Sequence, residues 1–102
     1  MRTKLMENER LVKEGKANFF NTILNNFGPS AGGTLYLTNQ RLIFEGHGFN
    51  VGKEAAIVNL SDVASSGTGL PNTFYVITNQ NQEFKFSVFR KKEWQSALDN
   101  LI

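Results

Sequence analysis

Cysteine is absent from the 102 residues. That excludes a disulfide framework, a thiolate metal site and a cysteine nucleophile. Histidine occurs once, as His47, so one chain cannot build a two-histidine metal site. Long apolar runs are also missing. The longest span three or four residues, against the roughly 20 that cross a bilayer. The opening Met1-Arg2-Thr3-Lys4 is basic, but no hydrophobic segment of a signal peptide follows it. Charge of one sign is scarce too. Eleven Lys and Arg against nine Asp and Glu give a net charge of +2, too small an excess for a nucleic-acid partner. Gly46, Gly48 and Gly52 do not open a helix, so no phosphate cradle or nucleotide cofactor is expected. A cysteine-free chain of this kind is expected in the cytoplasm, free or peripheral to a membrane.

What is present describes one globular domain: 40% hydrophobic, 12% aromatic and 20% charged residues. Residues 1–8 read as a flexible polar lead and residues 9–102 as the domain. Glu9–Glu14 is too short to separate a helical turn from an extended lead-in. Aromatic and β-branched residues predict a first strand over Lys16–Leu24, ended by the turn-rich Asn25–Gly33. Thr34–Thr38 and Arg41–Glu45 alternate, with Leu35 and Leu37, then Leu42 and Phe44, on one face. Asn39-Gln40 between them predicts a tight hairpin.

Further strands are predicted over Ala55–Leu60, Val63–Thr68, Phe74–Thr78 and Glu83–Phe89, with a turn or bulge at Ser61-Asp62. In the last strand Phe84, Phe86 and Val88 share one face, and Glu83, Lys85, Ser87 and Phe89 the other. The period then changes. Trp94, Ala97, Leu98 and Leu101 form one stripe of an amphipathic helix. Seven short strands joined by tight turns predict an antiparallel meander. Curling such a sheet into a barrel would hide its edges, with the C-terminal helix plugging one end.

This mainly β pattern, a seven-stranded antiparallel barrel capped by one C-terminal α-helix, resembles the pleckstrin-homology (PH) superfold. Gly33-Thr34-Leu35-Tyr36-Leu37-Thr38-Asn39-Gln40-Arg41-Leu42-Ile43-Phe44 resembles the signature of the GRAM domain. The lead-in Lys13–Asn18, the segment Ile57–Val63 and the ending Lys91–Trp94 resemble small, stand-alone bacterial members of that family. The resemblance covers residues 9–102. It implies a PH-like fold and a binding role at membranes or on proteins, without catalysis.

The residues themselves favour binding over chemistry. His47 lies between glycines with no partner motif for a serine nucleophile, and Glu45, Glu54, Asp62, Glu83 and Asp99 are joined by no motif. In a meander, the connections after strands one, three and six share one end. In phosphoinositide-binding PH domains that end carries a basic cluster, whereas here it has only Lys53 and His47. Phe27 and Phe49 stand beside them. The expected contact residues are therefore Phe27, His47, Phe49 and Lys53, facing a protein partner or a peripheral membrane surface. Arg41 is placed at the opposite end and reads as structural, paired with an acid or a carbonyl. Arg90-Lys91-Lys92 at the start of the helix opposes the helix dipole and marks a candidate anion patch. Leu37-Thr38-Asn39-Gln40 and Ile77-Thr78-Asn79-Gln80 read as two hairpins with like turn chemistry. A self-associating assembly protein, joined through unpaired strand edges, is the alternative.

Overall fold

The computed structural model describes residues 1–20, 31–46 and 56–102. Among the described residues there are seven strands, β1 (Leu11–Phe19), β2 (Ala31–Thr38), β3 (Arg41–Gly46), β4 (Ala56–Asn59), β5 (Val63–Gly69), β6 (Thr73–Thr78) and β7 (Glu83–Val88). One helix, α1 (Lys91–Asp99), follows. The β2–β3 hairpin forms where alternation placed it, with Leu35 opposite Phe44 and Leu37 opposite Leu42. β1 begins at Leu11, five residues before the expected start. Glu14 pairs with Tyr36 and Lys16 with Thr34, so Lys13–Lys16 is extended although it carries no apolar alternation. Asn21–Leu24, expected to continue this strand, lie outside the described residues.

The expected closed barrel is not what forms. The seven strands make one sheet in the order β4-β3-β2-β1-β7-β6-β5, every neighbouring pair antiparallel. β1 pairs with β7 through Ala17–Val88 and Phe19–Phe86, and the opening lies between β4 and β5. Those two strands are consecutive in the chain. A 3-10 turn over Leu60–Asp62 separates them and its two ends are tied to different hairpins. The Leu60 amide donates to the Gln40 carbonyl, and the Asn79 amide donates to the Asp62 carbonyl. Leu60 is buried in the core. The turn thus diverts β5 from β4, and the sheet stays open.

Both faces of β3 are covered. Leu42 and Phe44 belong to the main core, while Arg41, Ile43 and Glu45 on the other face are also buried. The N-terminal lead crosses that outer face. The Arg2 and Thr3 amides donate to the two carboxylate oxygens of Glu45, at 2.9 and 2.6 Å.

The inner core is built on aromatic rings. Phe19 packs on Phe86 at 5.1 Å, on Phe44 at 5.3 Å and on Phe84 at 6.1 Å between centroids. Gly33, the glycine of the signature, is required by close approach. A Cβ there would lie 2.2 Å from the Glu45 carbonyl oxygen and 2.7 Å from the Phe44 ring.

α1 packs its apolar stripe against β5, β6 and β1, as the helical period implied. Trp94 is 2% exposed and Leu98 fully buried, with Trp94 6.2 Å from Phe74. Lys13 of β1 anchors the helix from outside: its ammonium lies 5.2 Å over the Trp94 ring and 3.5 Å from Glu93.

Candidate functional site

Two polar constructions stand out. The first is the hairpin turn of the signature, where four consecutive residues each grip the N-terminal lead. The Thr38 hydroxyl donates to Glu9. The Asn39 side-chain oxygen accepts from the Arg10 amide at 2.7 Å, and its side-chain nitrogen donates to the Asn8 carbonyl at 3.1 Å. The Gln40 side-chain amide donates to the Glu7 carbonyl at 3.1 Å. Arg41 donates through Nε and Nη2 to the two oxygens of Glu9 at 2.8 and 2.7 Å, and through Nη2 to the Lys4 carbonyl.

Hydrogen bonding from Arg41, helped by Thr38 and the Met6 amide, outweighs the desolvation that opposes it. It lowers the Glu9 pKa from 4.5 to about 2. Burial alone would raise Glu45. Hydrogen bonds from Thr3 and Arg2 outweigh that and hold it below its usual value. Arg41 is therefore structural, paired with an acid and a carbonyl as the sequence implied. The echoing turn at Thr78 works alike in part: its hydroxyl accepts from the Gln80 and Gln82 amides at 3.3 and 3.2 Å.

The second construction is the corner where the β5–β6 turn (70–72) meets the β7–α1 junction (89–90). Two contacts bring them together. The Val88 amide donates to the Asn72 carbonyl at 2.9 Å. The Lys91 ammonium donates to the Gly69 and Pro71 carbonyls at 2.8 and 3.2 Å, straddling Leu70. Leu70 is left 90% exposed and Phe89 77% exposed.

Arg90 is the N-cap of α1 and adopts a left-handed conformation, φ 60° and ψ 59°. N-caps are normally extended and favour Ser, Thr, Asp or Asn. Its guanidinium lies 5.1 Å from the Phe89 ring centroid and 3.1 Å from Glu93. That cation, ahead of a smaller desolvation effect, is the main reason the exposed Glu93 carboxyl is held below its usual value.

A groove of about 510 Å³ runs from this corner along β7 and β1 to the start of β2, lined by Lys16, Asn18, Gly32, Asn72, Phe89 and Arg90 among others. The strands that carry the β1–β2 connection thus flank the same groove.

Of the residues singled out from sequence, Arg90, Lys91 and Lys92 fall together at this corner, and Lys91 is spent on two backbone carbonyls. Phe27, His47, Phe49 and Lys53 lie outside the described residues. Leu70 and Phe89 are not among the residues singled out from sequence, although Phe89 falls on the polar face of its strand and Leu70 directly precedes Pro71. An apolar residue at such a place is the signal that marks them. No group of three His, Asp or Glu that could hold a metal occurs among the described residues. No helix among them is long and apolar enough to cross a membrane.

The GRAM domain family model matches residues 1–98, and the chain belongs to that family. No match is found among the curated proteins. Solved structures share the fold. The chain is similar to the Vps36 N-terminal PH domain at 15% identity, covering 96% of this chain and 85% of that one, with a TM-score of 0.71. It is similar to the N-terminal PH domain of human ARAP2 at 17% identity, covering 99% and 84%, TM-score 0.67. It is also similar to the Slm1 PH domain solved with inositol-4-phosphate, at 18% identity, covering 89% and 92%, TM-score 0.58. The fold is PH-like.

Proposed function

We propose that this GRAM-family chain is a non-catalytic binding module that docks on an anionic membrane surface through the corner between the β5–β6 turn and the start of α1. The observation that carries this reading is the cationic group at that corner: Arg90 and Lys92, with Lys16 along the adjoining groove. Guanidinium and ammonium groups at a surface meet phosphate and carboxylate headgroups by charge-assisted hydrogen bonds. The non-catalytic part is supported by how the buried acids are used. Glu9 and Glu45 are committed to hydrogen bonds that hold the lead in place.

Phe27 on the β1–β2 connection, and His47, Phe49 and Lys53 on the β3–β4 connection, are proposed as a second contact region. β1 and β2 flank the corner groove through Asn18 and Gly32, which supports the two regions acting on one surface.

The test is co-sedimentation with vesicles of phosphatidylcholine, with and without phosphatidylserine. The expected result is binding only to the anionic vesicles, weakened several-fold by Lys92→Glu and by raising the salt concentration. Absence of binding, or equal binding by Lys92→Glu, contradicts the reading.

A second reading, self-association, is favoured by the open sheet. β4 and β5 are both edges, and the seven residues of β5 include no charge and no proline that would discourage pairing with another copy. Sedimentation equilibrium separates it: a monomer at all concentrations counts against it.

A further inference from the structure

We infer that Leu70 and Phe89 form a two-pronged apolar wedge that enters the hydrocarbon edge of an anionic lipid bilayer, while Arg90 and Lys92 meet the headgroup phosphates around it. The inference rests on the membrane reading above and adds the part of the contact that charge does not explain.

Apolar side chains exposed singly on a surface need no explanation. These two are different in degree and in company. They are the two most exposed of the large hydrophobic side chains among the described residues, at 90% and 77%. They come from segments separate in sequence, and a backbone hydrogen bond and the Lys91 side chain hold those segments side by side. The Val88 amide bonds to Asn72, and the Lys91 ammonium is anchored on the carbonyls either side of Leu70. Lys91 is thus a positioning residue, fixing the turn that carries one prong to the helix start that carries the other.

Arg90 supplies a second, independent sign of use. A left-handed residue with a Cβ is strained, and glycine would serve the backbone better. An arginine is held there instead, beside the Phe89 ring. The guanidinium is the prong's immediate neighbour, and its present partner, Glu93, is exposed and exchangeable.

Exposure and charge select the occupant. Leu70 is 90% exposed on the β5–β6 turn, and Phe89, 77% exposed, stands with Arg90 at the corner end of the groove. A bilayer accepts projecting apolar side chains at its boundary, with cations at headgroup level. The charge around the prongs is positive, from Arg90, Lys91 and Lys92, with Glu93 the acid of the same turn. That fits an anionic surface and opposes an equally basic second copy.

The experiment uses the full chain with Phe89→Trp and, separately, Leu70→Trp. The native Trp94 is 2% exposed, so its emission stays constant as a background. On mixing with phosphatidylserine-containing vesicles, each introduced tryptophan is expected to shift its emission to the blue. Phe89→Ala and Leu70→Ala should each weaken vesicle partitioning roughly fivefold or more, with thermal unfolding unchanged because both side chains are already in solvent.

Wild type that pellets with anionic vesicles while the tryptophans do not shift and the alanine variants bind normally overturns the wedge and leaves the membrane reading standing. Wild type that does not pellet overturns both. Binding to soluble polyglutamate as strong as to vesicles, with no blue shift, replaces the bilayer with an acidic protein partner and also overturns the wedge.

Discussion

Glu9 and Arg41 lie 32 positions apart in the chain and meet in a two-point ion pair, 2.7 and 2.8 Å, buried under the N-terminal lead. The pair explains why the signature carries Thr-Asn-Gln-Arg at the turn between its two strands. Each of those residues holds part of residues 4–10, Thr38 and Arg41 both on Glu9, so the turn is a clamp before it is anything else. Without the clamp the outer face of β3, including the fully buried Ile43, would lose its cover.

Removing one partner leaves the other charge buried and unpaired. Glu9→Gln is therefore expected to destabilise the domain by about 3–5 kcal/mol, a large share of the roughly 5–15 kcal/mol such a domain has. Arg41→Lys, which keeps the charge but loses the fork, should cost less. Urea unfolding followed by Trp94 fluorescence measures both. A loss under about 1 kcal/mol in Glu9→Gln would show that the clamp is ornamental.

The same pair sets the response to acid. Glu9 has a folded pKa of about 2 against an ordinary 4.5. A carboxylate depressed in this way stabilises the fold fully above its unfolded value, and the contribution fades as pH falls from about 4.5 toward 2. The expected loss is about 3 kcal/mol, with Glu45 acting in the same direction. Stability measured from pH 7 down to pH 2 should decline over that window in wild type and more shallowly in Glu9→Gln. Identical slopes would contradict the assignment.

Arg90 makes stability and binding pull apart. Its left-handed backbone costs a residue with a Cβ roughly 1–2 kcal/mol relative to glycine. Arg90→Gly should therefore raise unfolding stability, by roughly 0.5–1 kcal/mol after the added flexibility of the unfolded chain is counted, while weakening vesicle binding. Parallel urea titration and co-sedimentation check the pair of effects. A variant that is both less stable and unimpaired in binding would reverse the argument.

Local pattern and long-range pairing were unequally legible. Leu35, Leu37, Leu42 and Phe44 alternate in the chain and face one core, and Trp94 and Leu98 share a helical stripe, so hairpin and helix followed directly. The early part of β1 did not, because Lys13–Lys16 owes its extended form to ladder bonds with Thr34–Leu37 rather than to apolar alternation. The opening between β4 and β5 was hidden for a similar reason. It depends on Leu60 and Asp62 being tied to hairpins about 20 residues away on either side, and no local pattern encodes that. The continuous Leu42-Ile43-Phe44 run was a usable sign that β3 is covered on both faces. At the corner, the cations were visible in the sequence. The pairing of Leu70 with Phe89 required knowing that Lys91 reaches back to Gly69 and Pro71.

Hydrogen exchange of the full chain on phosphatidylserine-containing vesicles, read by mass spectrometry, tests the docking surface most directly. The account predicts slowed exchange at 69–72 and 88–92, with the clamp at 38–41 unchanged. Slowing confined to β4, or no change at the corner while the protein remains vesicle-bound, would contradict it.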